Sequence, residues 1–480
     1  MFKNINCKNL PSLRRNIVYQ FLYELLIVFI PLFTIPYVSR VLGAENIGLF
    51  SYTYAVANYF VLFANLGIKN YGSRTIAMVR NNKEELNRNF SEILSIHIIF
   101  SIIVIFVYLV LLFFFVEDNL VIFLIQSIYV FAAVFDINWF FFGIEKFKLT
   151  VGRNTLVKIL SVFLVLVFVK TQTDLWIYAL ILALSVFVGQ SVVWFALKQY
   201  VSWRRPSWAN MKQHIRPLFV LFLPILALSL YKYMDKIMLG SISSNVQVGF
   251  YENAEKIVSV GRLVTVALGT VALPNATRLV TIGKNINLKQ SIDKSLFASV
   301  WFAVAFFYGI SGIATNFVPL FLGEEFRNSI CIVYELLPCI FCWAIANVFR
   351  TQYVIPKQKD NVYIGSQIVA AIVNFVFNLV LIPCFGTAGA AIGTVVAELT
   401  VCVAMVIASK NVINFKKKIF NFMWLNTLGI VMFIVIKRIE KIEVNVLVCT
   451  IIQILVGGTV YLILSMLIIW YGRRKVWRSN

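Results

Sequence analysis

The feature that most constrains this chain is a succession of apolar segments that runs from one end of it to the other. A helix needs about 20 predominantly apolar residues to cross the ~30 Å hydrocarbon core of a bilayer. Fourteen segments of suitable length are separated by turn residues or charge clusters, and they lie at residues 16–41, 46–68, 91–116, 120–143, 154–170, 175–197, 217–240, 247–278, 295–315, 329–355, 361–383, 388–409, 419–436 and 445–471. The sequence therefore predicts an all-α polytopic membrane protein with about fourteen transmembrane helices.

Composition excludes most other classes of protein. Hydrophobic residues make up 60% of the 480 residues and charged residues only 13%, whereas about 25% are charged in soluble domains. The net charge of +22 does not indicate nucleic-acid binding, because the basic residues lie in short loops between apolar segments. The seven cysteines are scattered and there are only two histidines, so we expect neither a metal site nor a cofactor.

The distribution of basic residues predicts the orientation of the chain in the membrane. Cytoplasmic loops carry an excess of Lys and Arg. With the N-terminus inside, the inner segments hold 33 of the 43 basic residues. The outer segments hold only Arg40, Lys170, Arg327, Lys437, Arg438 and Lys441. We therefore expect both termini on the cytoplasmic side.

A short internal repeat suggests two lobes. The order Phe-Ile-Pro, Leu-Gly and Gly-Leu-Phe-Ser-Tyr over residues 29–52 is echoed by Phe-Leu-Pro, Leu-Gly and Gly-Phe-Tyr over residues 222–251. The copies lie six segments apart, which predicts two pseudo-symmetric six-helix lobes. The expected division is a first lobe at residues 1–205, a second at 206–410, and two extra C-terminal helices at 411–480.

Charged residues interrupt the seventh and eighth segments, where hydrocarbon would be expected. Helical spacing places Lys232, Asp235 and Lys236 on one face, and Glu252, Glu255, Lys256 and Arg262 on another. A charge inside a membrane costs at least ~2.5 kcal/mol and normally faces a bundle interior or a watery cavity. Two interpretations stay open: cations that line a cavity, or salt bridges such as Glu252 with Lys256 that fasten the two helices.

The first segment also carries candidate functional residues. Pro31 and Pro36 remove helical hydrogen bonds and can bend this helix, which suits a gate. Glu24 can pair with a cation or carry a coupling proton, or can simply be hydrated near the inner end. We treat these three residues, with Asp235 and Glu255, as candidates for coupling or gating.

Several motifs resemble those of a known family, in the same order along the chain. They are IPYVSRVLG at residues 35–43 with Gly48, DINWFFFGIEKFK at 136–148 with Arg153, Asn154 and Lys158, Thr351-Gln352 with Ile355-Pro356, Asn374, Asn378, Ile382-Pro383, Gly386, GAAIGT at 389–394, and Glu398. Together they resemble the bacterial polysaccharide flippases, the Wzx-like branch of the superfamily that also contains multidrug-and-toxin exporters and the lipid II flippase.

The resemblance implies a flippase of the bacterial cytoplasmic membrane. Such a protein moves an undecaprenyl-diphosphate-linked oligosaccharide from the inner to the outer leaflet by alternating access. The diphosphate is anionic, so fixed cations can replace its water. The candidates for this role are Lys232, Lys236, Lys256 and Arg262. Expected partners are membrane lipids, a polysaccharide polymerase and glycosyltransferases, but no nucleic acid.

Two other functions were weighed against this one. A cation-coupled multidrug exporter of the same superfamily is the alternative, but it predicts a net acidic cavity. A glycosyltransferase or polymerase predicts a large loop with carboxylates or a cation-binding motif, and the loops are short. No GxxxxGK[ST] loop, nucleophile with base or catalytic carboxylate pair occurs in a soluble segment, so we expect a transporter and no enzyme.

Overall fold

The computed structural model describes residues 10–477, apart from Asn411, Ile413, Asn414 and Glu443. Side chains are described for residues 30–467, with gaps at 147–148, 227–228, 230–232, 411, 413–421 and 443. No β-strand occurs within these ranges. The helices are α1 Leu10–Asn65, α2 Ile68–Val79, α3 Lys83–Phe115, α4 Leu120–Val134, α5 Asn138–Gly143, α6 Phe147–Phe168, α7 Leu175–Leu197, α8 Trp208–Ile242, α9 Asn245–Thr281, α10 Asn285–Leu322, α11 Ser329–Leu336, α12 Cys339–Phe349, α13 Asp360–Phe385, α14 Thr387–Ala408, α15 Phe415–Ile439 and α16 Val446–Trp477.

The apolar segments of the sequence lie in helical parts of the chain. Among the described residues, eleven helices are long and apolar enough to cross a membrane, or twelve when the pair Glu324–Leu336 and Cys339–Val354, bent by 43°, counts as one span. The first two predicted segments both fall in α1, where the backbone leaves the helical conformation at Gly43 (φ 77°, ψ 175°). Glycine has no Cβ and adopts this positive φ without strain. The all-helical membrane fold is thus confirmed, and the number fourteen stays a prediction.

The chain divides into two compact units, Met1–Ser229 and Leu230–Asn480. The division falls within α8, whereas the repeat placed it before this helix, between residues 205 and 206. Each unit has its own apolar core. The core of the first unit contains Trp139, Phe140 and Phe141, and that of the second contains Phe349 and Tyr461.

Close helix packing in the first unit depends on two glycines. A side chain at Gly72 would meet the indole of Trp139, and one at Gly143 would meet Ile76 and the backbone of Ser73. Helices α2 and α5 therefore approach more closely than side chains would allow, as small residues permit in membrane proteins. The tryptophan and the second glycine belong to the motif at residues 136–148.

A tight hairpin of α13 and α14 organises the second unit. The turn residue Gly386 has a φ of 55°. A Cβ at Gly389 would collide with the backbone of Leu381, and one at Gly393 would collide with the amide of Asn378. The glycine-rich motif at residues 386–394 is therefore explained by the close contact of two antiparallel helices.

Candidate functional site

The charged residues of α8 and α9 form a connected set of ion pairs. Lys236 Nζ lies 2.5 Å from Glu252 Oε2 and 3.0 Å from Glu255 Oε2. Lys256 Nζ lies 3.0 Å from Glu252 Oε1, one helical turn away. The side chains of Lys236 and Glu252 are only 13% and 12% exposed, whereas Lys256 and Glu255 are 37% and 38% exposed. Two cations and two carboxylates thus neutralise one another in a partly buried network, which we call the α8–α9 charge network.

This arrangement agrees with the salt-bridge interpretation for two of the four candidate cations. Lys236 lies between two carboxylates of the neighbouring helix. Lys256 pairs with Glu252, which lies four residues earlier on the same helix. The side chains of Lys232 and Glu24 lie outside the described residues. Whether any of these residues meets a substrate stays a prediction.

Arg262 lies on α9, the helix that also carries Glu252, Glu255 and Lys256. Its side chain is exposed on the surface of the second unit, and its guanidinium carbon lies 5.3 Å from the centre of the Trp343 ring of α12. This distance is typical of a cation–π contact, which orients the guanidinium plane. The preceding residue, Gly261, packs against Ile340 and Phe306 with no room for a side chain.

Trp343 contributes a second polar group at this place. Its indole nitrogen is buried and has no hydrogen-bond acceptor among the described residues. A buried donor without an acceptor is rare and calls for an explanation. Arg262 therefore places an exposed guanidinium against an aromatic ring, and a guanidinium is a group that suits an anionic ligand.

Asp235 lies in a buried polar cluster that no basic side chain of the described part joins by a salt bridge. Its Oδ2 accepts hydrogen bonds from the hydroxyls of Tyr251 (2.8 Å) and Thr394 (2.7 Å). Its Oδ1 accepts one from the amide of Asn378 (2.5 Å). The carboxylate is 5% exposed and is surrounded by neutral donors from α9, α13 and α14.

The same cluster contains two buried polar atoms, one oxygen and one nitrogen, without a hydrogen-bond partner among the described residues. Asn374 and Asn378 are fully buried, and Asn378 donates to Asn374 Oδ1 at 3.3 Å. Asn378 Oδ1 and Asn374 Nδ2 have no partner among the described residues. Carboxylate, amide and hydroxyl oxygens are the ligands that hard cations prefer. The cluster therefore brings a carboxylate, two amides and two hydroxyls together in one buried polar site.

Two of the gating candidates are prolines of the first helix. Pro31 and Pro36 lie within α1 and are partly buried. The residue at which the α1 backbone departs from helical geometry is Gly43, seven positions after Pro36. The structure does not test a gating role for either proline.

Sequence reasoning missed three residues of these clusters. Tyr251 and Thr394 bond to Asp235, and Trp343 lies under Arg262. Thr394 and the two asparagines belong to the motifs that resemble the flippase family, but their spacing does not point to Asp235, which lies about 140 to 160 residues away. Trp343 lies in an apolar segment without any polar pattern that would mark it.

Three comparisons with known proteins bear on these observations. The family model described as polysaccharide biosynthesis protein matches residues 13–280, which is more than half of the chain. A putative O-antigen transporter of Shigella dysenteriae is 23% identical over 412 residues, covering 83% of this chain and all of that protein. Another, from Escherichia coli strain K12, is 25% identical over 411 residues, covering 84% and 98%.

Solved structures share the fold. The lipid II flippase MurJ in an inward closed conformation aligns with a TM-score of 0.70 at 16% identity, covering 94% of this chain and 98% of its own. A multidrug resistance MATE family transporter in an inward-facing conformation aligns with a TM-score of 0.62 at 15% identity, covering 80% and 94%. At such low identity the likeness concerns the fold alone.

Proposed function

Because the chain belongs to the polysaccharide biosynthesis protein family, we propose that it is a flippase for a lipid-linked oligosaccharide. The substrate would be an undecaprenyl-diphosphate oligosaccharide, carried from the inner to the outer leaflet of the bacterial cytoplasmic membrane by alternating access. The relatives named as O-antigen transporters support this substrate class, since the alignments cover nearly all of their length. A polymerase and glycosyltransferases would act after and before it.

The proposed architecture has fourteen spans in two six-helix lobes with two additional C-terminal helices. The predicted segments all lie in helical parts of the chain, although the first two share α1 and the tenth covers α11 and α12, and we take α15 and α16 as the additional pair. The basic loops support cytoplasmic termini. The proposed division at residues 1–205, 206–410 and 411–480 places each lobe start near a helix that carries a proline.

The observation that carries the functional proposal is the exposed cation Arg262. Counting ~1.5 Å per residue from Asn245, it lies roughly 26 Å along a helix of 37 residues, near its middle. An arginine at the bilayer centre is costly against hydrocarbon and normally faces water or a partner. We assign Arg262 to the diphosphate of the substrate.

The α8–α9 charge network has a different role in this proposal. Lys236 and Lys256 are neutralised by Glu252 and Glu255, so they add little net attraction for a diphosphate. We propose that the network fastens α8 to α9 and keeps the helix that carries Arg262 in register. Lys256 is the more exposed cation and lies about one and a half turns before Arg262, so it is the second candidate for substrate contact.

Coupling is assigned to Asp235. Asp235 is a buried carboxylate whose hydrogen-bond partners among the described residues are neutral groups of Tyr251, Asn378 and Thr394. Protonation of this carboxylate, or binding of a small cation beside it, would change the charge inside the cluster. Either event would alter hydrogen bonds that join α8 to α9, α13 and α14. We propose that this exchange links an ion gradient to the conformational cycle.

Deletion of the gene tests the proposed function. Loss of a flippase should leave undecaprenyl-diphosphate oligosaccharide on the inner leaflet and remove the corresponding surface polymer. Sensitivity to cationic dyes should stay unchanged, because an exposed Arg262 disfavours cationic substrates. Normal polymer together with increased dye sensitivity would instead assign the protein to multidrug export.

A further inference from the structure

A second polar site lies in the first unit, whereas the α8–α9 charge network and the Asp235 cluster lie in the second. It is a cavity of about 570 Å³ between α2, the first turns of α3 and the first turns of α8. Its polar wall contains Tyr71, Arg74, Arg88, Gln213 and His214. Its volume falls in the range of ~300–1,000 Å³ that is usual for small-molecule sites.

The two arginines of this cavity are available for an anion. No carboxylate of the described residues lies within salt-bridge distance of Arg74 or Arg88. Neighbouring arginines are paired: Arg80 lies 2.6 Å from Glu145, and Arg204 lies 3.1 Å from Glu84. Both cavity arginines are exposed, so they keep a net positive charge at the cavity wall.

A chain of buried hydrogen bonds holds the polar wall in place. His214 Nε2 lies 2.9 Å from Glu92 Oε2, and His214 Nδ1 lies 2.6 Å from the hydroxyl of Tyr71. Glu92 and His214 are only 1% and 3% exposed. The chain joins α8 to α3 and α2, so the wall is formed before a ligand arrives, which lowers the entropy cost of binding.

The remaining wall of the cavity is apolar. Met78, Pro217, Val220 and Leu221 line it, and the first and third are exposed. The positive-inside distribution places the loops beside this cavity on the cytoplasmic side. A ligand with a phosphate and an apolar chain would match both walls at the inner leaflet.

We propose that this cavity binds the phosphate of an inner-leaflet lipid, with Arg74 and Arg88 donating to the phosphate oxygens. The apolar wall then covers the first part of the hydrocarbon chain. The phosphate has two sources, the substrate diphosphate or bulk anionic phospholipid. In the first case the cavity is a docking site for the substrate before translocation, and that reading alone rests on the proposed function.

Binding to the purified full-length protein in phosphatidylcholine nanodiscs tests the proposal. The two probes are farnesyl diphosphate and phosphatidylglycerol. Replacing one arginine by glutamine should weaken binding about tenfold, and Arg74→Gln with Arg88→Gln about a hundredfold, because charge-assisted bonds to phosphate are lost. The control is Lys212→Gln with Arg216→Gln, which removes the same charge from exposed residues of α8 that do not line the cavity.

The two probes separate the sources of the phosphate. Weakened binding of farnesyl diphosphate alone assigns the cavity to the substrate, and weakened binding of phosphatidylglycerol assigns it to bulk lipid. Equal loss in the control pair, or no loss in the arginine pair, would overturn the proposal. Arg74→Lys with Arg88→Lys keeps the charge and should bind the probes with intermediate affinity. That result would show that the loss of binding in the glutamine variant follows from the changed side chains and is not caused by misfolding. The assay needs no transport, so it stands even if the flippase assignment fails.

Discussion

Lys236 should be needed for stability far more than Lys256, although both are lysines of one network. Lys236→Met removes two ion contacts, at 2.5 and 3.0 Å, and leaves Lys256 as the paired cation of Glu252 while Glu255 loses its contact with Lys236. Removing one partner of a buried pair costs roughly 3–5 kcal/mol. Lys256→Met removes one contact of a side chain that is 37% exposed, for which the expected loss is about 1 kcal/mol or less.

A second substitution should restore part of the stability that Lys236→Met loses. Lys236→Met combined with Glu252→Gln restores neutrality, because only the more exposed Glu255 and Lys256 remain charged. Since a buried pair replaced by neutral groups often has nearly unchanged stability, the double variant should be more stable than Lys236→Met alone by at least ~1 kcal/mol. The coupling is expected because the residues are in direct contact.

Thermal unfolding in detergent measures this directly, with the intrinsic fluorescence of the ten tryptophans as the signal. Glu324→Gln is the matched control, since it breaks an exposed ion pair of the same unit, with Arg327 at 2.9 Å. Glu324→Gln should lower the free energy of unfolding by no more than ~1 kcal/mol. Equal losses for Lys236→Met and Lys256→Met, or a double variant less stable than both singles, would refute the network. A stable double variant that exports no polymer would indicate that Lys236 contacts the substrate.

Three further predictions concern the other clusters. Arg262→Ala should abolish polymer export at normal membrane abundance and Arg262→Lys should keep part of it, since lysine offers a point charge without the paired donors; full export by Arg262→Ala contradicts the headgroup role. Asp235→Asn should fold, because an amide can satisfy the hydroxyl and amide partners, yet flipping in proteoliposomes should lose its dependence on an imposed ion gradient; retained dependence excludes Asp235 as the coupling group. Gly393→Val should lower the unfolding temperature by several degrees through collision with the Asn378 amide, whereas Gly365→Val, which meets no atom within 4 Å, should not.

Much of the helical fold could be predicted, because the thickness of the bilayer fixes the length of an apolar segment. The bounds of α7, Leu175–Leu197, coincide with the predicted segment. Other helices begin earlier than predicted: α3 begins at Lys83 and α10 at Asn285, about eight and ten residues before the apolar segment. Hydropathy detects only the part of a helix that lies in hydrocarbon, and polar turns outside it form helix equally well.

The site was less predictable than the fold, because many of its interacting residues lie far apart in the sequence. The pair Glu252–Lys256 follows from the spacing of four residues on one helix. The partners of Lys236 come from the next helix, so they depend on the register of α8 against α9. The partners of Asp235 come from α13 and α14, about 140 to 160 residues away, and only the packed structure brings them together.

The pairing of the lysines also suits the task that we propose. A flippase has to release its substrate, so its cavity must attract a diphosphate without holding it. At ~4 Å and an effective dielectric constant near 20, one additional free cation would contribute roughly 4 kcal/mol, which corresponds to almost a thousandfold slower release. Pairing Lys236 and Lys256 with carboxylates removes that excess attraction from the two lysines. Freeing a lysine by Glu252→Gln would then be expected to raise affinity for the diphosphate and to slow flipping.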